Sequence, residues 1–96
     1  MTAVFKKAIE TYGAEAQLNV AIEELSELIK EICKHKPGSD NIEAIIEEMA
    51  DCYIMLKQMQ MIFGLGSTVI VDAMQKKIDR LSRRLDEFER SKNENH

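Results

Sequence analysis

Two copies of one short pattern bracket a single break in this chain. Ile22-Glu23-Glu24-Leu25-Ser26-Glu27 recurs 24 residues on as Ile46-Glu47-Glu48-Met49-Ala50-Asp51, with Pro37-Gly38-Ser39 between them. Each copy sits in apolar residues spaced three and four apart, which is the period of an amphipathic helix. Leu18, Ala21, Ile22, Leu25, Leu28, Ile29 and Ile32 form one such stripe; Ile42, Ile45, Ile46, Met49, Tyr53 and Leu56 form the other. The spacing predicts a helix from about residue 14 to 35 and another from about 40 to 63. Asp40 is the expected N-cap of the latter, with Glu43 completing a capping-box-like start. A connection as short as Pro37-Gly38-Ser39 makes the two helices antiparallel neighbours.

Two further helices complete the expectation. A short one covers about residues 2 to 12 and is ended by Gly13. The last follows Gly64-Leu65-Gly66, can be capped by Ser67, and carries Val71, Met74, Ile78, Leu81, Leu85 and Phe88 as a narrow heptad seam. One Pro and four Gly in 96 residues leave room for few turns. The fold class is therefore all-α and four-helix bundle-like, with a short first helix and three long ones. Residues 1–90 read as a single domain and residues 91–96 as a polar, frayed tail. Beyond Cys52 the third helix is apolar almost all round, which calls for cover on several sides, in a bundle interior or at a subunit interface. The Met-rich run here reads as adaptable packing.

Charge and composition exclude several classes. The net charge of −4 gives no footprint for a nucleic-acid polymer. The chain has no run of 18 apolar residues, so no membrane span is expected, and the N-terminus lacks the apolar region of a secretory signal. Cys33 and Cys52 lie within apolar helical patterns and read as reduced core residues. A cytoplasmic location is expected.

The acidic pairs carry the chemistry. Glu24 and Glu27 lie three residues apart and share one helix face, as do Glu48 and Asp51. Folding back at Pro37-Gly38 puts Glu24 level with Asp51 and Glu27 level with Glu48, with matching phases emerging on the same side of the pair. Four carboxylates should converge at the edge of the core, where they repel one another unless a cation joins them. All-oxygen ligation favours a hard ion, Mg²⁺, Mn²⁺ or Ca²⁺, and the lack of a nearby His speaks against zinc and di-iron sites. Magnesium held by carboxylates recruits substrate phosphates, which points to phosphate-ester chemistry. One such pair alone is commonly a solvated face; the repetition in phase and height sets this one apart. Glu23 is a candidate supporting or water-activating residue, while Glu31 and Glu47 read as solvated.

These residues resemble the MazG-like family of the all-α nucleotide pyrophosphohydrolases, whose signature is Glu-Glu-x-x-Glu followed by Glu-x-x-Asp. Here it reads Glu23-Glu24-Leu25-Ser26-Glu27 and Glu48-Met49-Ala50-Asp51. The resemblance spans most of the chain. It implies hydrolysis of a nucleoside triphosphate to monophosphate and pyrophosphate with Mg²⁺, or Mn²⁺ in its place, with Glu24, Glu27, Glu48 and Asp51 as catalytic metal ligands. It also implies a dimer or tetramer with the site near a subunit boundary. Relatives often carry a phosphate-holding motif near the chain end; this sequence has Lys76, Lys77, Arg80, Arg83 and Arg84 without a clean match. Lys77, Arg80 and Arg84 share one face and are candidates to reach a triphosphate, against an ordinary charged surface paired as Asp79–Arg83 and Arg83–Glu87. Gln17 is a candidate for the base or sugar, against a simple polar surface.

Two alternatives stand beside this reading. A phosphoribosyl-ATP pyrophosphohydrolase shares an Ala-Asp-x-x-Tyr-type stretch that Ala50-Asp51-Cys52-Tyr53 partly matches, but the usual N-terminal portion and the His after the second motif are missing. From a different class, the chain could be a non-catalytic helical interaction module whose working surface is the heptad seam.

Overall fold

The structure, a computed structural model, describes residues 1–94. It contains four helices in the order α1 (Thr2–Tyr12), α2 (Ala14–Lys34), α3 (Ile42–Ile62) and α4 (Val69–Glu94), and no strand among the described residues. The chain divides into two compact units, Met1–Leu65 and a second that begins at Gly66. Among the described residues no helix is long and apolar enough to cross a membrane.

In the first unit α1, α2 and α3 pack on one another. Gly13 separates α1 from α2 at φ 93°, a backbone conformation that costs a side-chain-bearing residue. Its N–H donates to the Ile9 carbonyl at 2.8 Å, and its own carbonyl accepts the Gln17 N–H at 3.1 Å, so one residue closes α1 and opens α2. On α1, Phe5, Ala8 and Ile9 are the partly buried positions.

The α2–α3 turn is built around Asn41. Its amide donates to the Glu31 carbonyl at 2.9 Å and to Glu31 Oε2 at 3.1 Å, while its Oδ1 lies 3.1 Å from His35 Nδ1. The bond from Asn41 holds the Glu31 carboxyl below the ordinary range. Ser39 Oγ accepts the Lys36 N–H at 2.7 Å. The expected cap at Asp40 is replaced: Asn41 occupies the cap position and makes no side-chain cap, its Oδ1 lying against His35 Nδ1 and its NH2 donating to Glu31.

Three cross-links run from the open end of the hairpin to the turn and show that α2 and α3 are antiparallel. Gln17 Nε2 donates to Gln58 Oε1 at 2.6 Å, Cys52 Sγ lies 3.4 Å from the Glu24 carbonyl, and Asn41 meets Glu31. Gln17 and Gln58 lie equally far in sequence from the Pro37–Gly38 turn, as Glu24 and Asp51 do. The register expected from the repeat is thus observed.

The face that α2 turns inward differs from its apolar stripe. Gln17, Ala21, Glu24, Leu28 and Glu31, alternately four and three residues apart, form a buried or half-buried row, with Leu18 and Val20 half-buried beside its first turn. That is a 3.5-residue seam, the geometry of helices packed nearly antiparallel. Ile22, Ile29 and Ile32 of the stripe are exposed, as are Ile42, Ile46, Tyr53 and Leu56 on α3. The buried apolar residues are Ala21, Cys52 and Met55, and Ala21 is small enough to let the two backbones close up. Cys33 is exposed, contrary to a core position, and both cysteines are free.

In the second unit α4 runs for 26 residues, about 39 Å at the helical rise. It continues through Ser91–Glu94, the first part of the stretch expected to fray; Asn95 and His96 lie outside the described residues.

Candidate metal centre

The α2–α3 seam brings Glu24 to the middle of the hairpin, and the antiparallel register puts Glu48 and Asp51 opposite it. One carboxylate oxygen from each of the three lies within 4.8 Å of the others, and all three residues are half-buried. In octahedral ligation at 2.0–2.1 Å, oxygens on opposite sides of Mg²⁺ lie about 4.0–4.2 Å apart, and those around Ca²⁺ up to about 5 Å. A single hard cation can therefore span the three with small side-chain adjustments.

Two further observations bear on that fit. Glu48 Oε2 is shielded from solvent and has no hydrogen-bond partner. A buried carboxylate oxygen left unpaired is costly, and a cation is a partner that satisfies it. The Glu24 carboxyl is held above the ordinary range, first by burial and then by the neighbouring Asp51 and Glu48 charges. No cationic side chain contributes to that shift. The ion pairs of the described residues, Lys30–Glu27 at 4.0 Å and Lys34–Glu31 at 3.5 Å, involve none of the three.

Glu27 is not brought into the cluster. Its side chain is about half exposed, and Lys30 one turn on gives it a partner in solvent. The converging set has three members where the sequence pattern gives four. Glu23 and Glu47 are exposed outside the set. Gln17 is buried against Gln58 instead of lining a polar surface, about 10 Å along α2 from Glu24. Lys77, Arg80 and Arg84 are exposed on α4, in the other unit.

Cys52 is a neighbour that the sequence pattern does not flag. It is buried, it sits beside the Glu24 backbone carbonyl, and burial followed by the three acidic charges pushes its thiol up. Cys52 is not among the converging donors, so that set is all-oxygen and unsuited to soft ions. The signal for it is the 3.5-residue spacing of Glu48, Cys52 and Met55, which continues the seam on α3. Cys52 also helps line an apolar groove of about 230 Å³ with Leu25, Leu28, Met49, Tyr53 and Leu56.

No protein-family model, no curated protein and no solved structure matches this chain.

Proposed function

We propose that this protein is a Mg²⁺-dependent nucleoside triphosphate pyrophosphohydrolase, with Mn²⁺ a workable substitute. The observation that carries the reading is the convergence of Glu24, Glu48 and Asp51, with Glu48 Oε2 buried and unpaired. These three residues would hold the metal. The bound ion would offset negative charge on the polyphosphate and leaving pyrophosphate, and would lower the pKa of a water in its reach. The carboxylates position that centre from two helices held in fixed register, so its geometry does not depend on a loop. Glu27, one turn from Glu24 and half exposed, remains the candidate fourth ligand, and Glu23 the candidate supporting or water-activating residue. Lys77, Arg80 and Arg84 remain the candidates for the phosphates.

The exposed stripes of α2 and α3 support assembly as a homodimer or homotetramer, since they form apolar surface that the first unit does not cover itself. A second reading, a helical interaction module without catalysis, is favoured by the exposed seam of α4.

One assay separates the two. Incubation with a panel of dNTPs and NTPs, in Mg²⁺ or EDTA, should release pyrophosphate and monophosphate in Mg²⁺ alone. Glu48→Gln and Asp51→Asn should each lower the rate by at least about a hundredfold, the scale of losing a group that holds charge in the transition state. Orthophosphate with a diphosphate product would put the cut at the wrong bond. No turnover of any nucleotide, with no shift in melting temperature on adding Mg²⁺, would favour the interaction module.

A further inference from the structure

We propose that α4 pairs in parallel with the α4 of a second copy of this chain, as a short two-stranded coiled coil. This does not rest on the chemistry assigned to the acidic cluster. Val71, Met74, Ile78, Leu81, Leu85 and Phe88 are each more than half exposed, although all lie on one stripe of a regular helix. Their alternating spacing of three and four places Val71, Ile78 and Leu85 at one class of core position and Met74, Leu81 and Phe88 at the other. With β-branched Val71 and Ile78 in the first class and Leu81 in the second, the core follows the pattern that favours two parallel strands.

The flanks decide the direction. Lys77 and Arg84 border the seam on one side; Gln75, Ser82 and Glu89 border it on the other. In an antiparallel pair the Lys77/Arg84 edge would meet its own copy, setting cation against cation. In a parallel pair each edge meets the opposite edge of its partner, and Arg84 falls beside the partner's Glu89 on both sides of the two-fold axis. The remaining charges leave the seam free. Asp72, Asp79 and Asp86 each precede a base by four residues (Lys76, Arg83 and Arg90), the order that supports a solvated helix surface.

The test uses the full chain and two independent kinds of variant. In sedimentation equilibrium, Arg84→Glu should weaken self-association about tenfold by setting like charges against each other, and Arg84→Glu with Glu89→Arg should restore it. In a Cys33→Ser background, Val71→Cys should give a disulfide-linked pair under mild oxidation. Only a parallel pair brings the two ends of the seam carrying residue 71 together. Association that tightens or stays unchanged on Arg84→Glu overturns the proposal, because cations then face cations or solvent. So does cross-linking only when Val71→Cys is mixed with Phe88→Cys, which marks an antiparallel pair. A mass unaffected by Leu81→Asp would place the interface elsewhere and overturn it as well.

Discussion

Glu24 is the residue on which the cluster's electrostatics turn. Its carboxyl keeps its proton to higher pH than a free glutamate because it is half-buried and faces Asp51 and Glu48. The unfolded chain releases that proton near the ordinary value of roughly 4.3. Between that value and the raised one, the folded state binds more protons than the unfolded state. The contribution to stability is therefore full below the unfolded value and is lost as pH rises through the folded one. In EDTA, the melting temperature of the wild type should fall from about pH 4.5 toward neutrality on this account. Glu24→Gln, which cannot ionise, should flatten that slope and melt higher than wild type at pH 7. Added Mg²⁺ should reverse the order if the three acids hold it, since only the wild type presents three carboxylates. A variant that melts lower than wild type at pH 7 in EDTA would show that the Glu24 charge is tolerated there.

Between elements, the α2–α3 hairpin is set by a buried amide pair as well as by apolar contact. Gln17 and Gln58 are both under a tenth exposed, and each meets a polar need of the other. Removing one leaves its partner buried without the bond, at about 1–3 kcal/mol, whereas replacing both by apolar groups of similar size is nearly neutral. Gln17→Ala should therefore lower stability in urea by that amount plus lost packing, and Gln17→Leu with Gln58→Leu should recover most of it. Equal losses in the single and double variants would mean that the pair contributes only volume. The element boundaries and the antiparallel register were legible because Gly13, Pro37-Gly38 and Gly64-Leu65-Gly66 punctuate an otherwise helical pattern, and because the acids lie equally far from the turn. The facing surfaces were not. Amphipathicity reports how much of a helix must be covered, not by what, and here the seam through Gln17, Ala21 and Glu24 won over the richer stripe through Ile22, Ile29 and Ile32. That choice separates Glu24 from Glu27, which the repeat treats as equivalent to each other and to Glu48 and Asp51.

At the scale of the whole molecule, the first unit buries only three apolar residues, Ala21, Cys52 and Met55, and leaves two apolar stripes in solvent. A small core of this kind is marginal by itself. Covered by another copy, it gains stability by mass action, so the melting temperature should climb several degrees across roughly a hundredfold range of protein concentration. A concentration-independent melting curve would show that the hairpin stands alone. The parallel pairing of α4 and the covering of the α2–α3 stripes are two different self-complementary contacts. Used about perpendicular, intersecting two-fold axes they close a tetramer, and about one shared axis a dimer. The exposed stripes then have a consequence for how much working protein a cell obtains. When completion requires two chains to meet, finished molecules accumulate with the square of the amount synthesised at low abundance. Halving expression would remove far more than half of them, and a small rise in synthesis would act as a threshold.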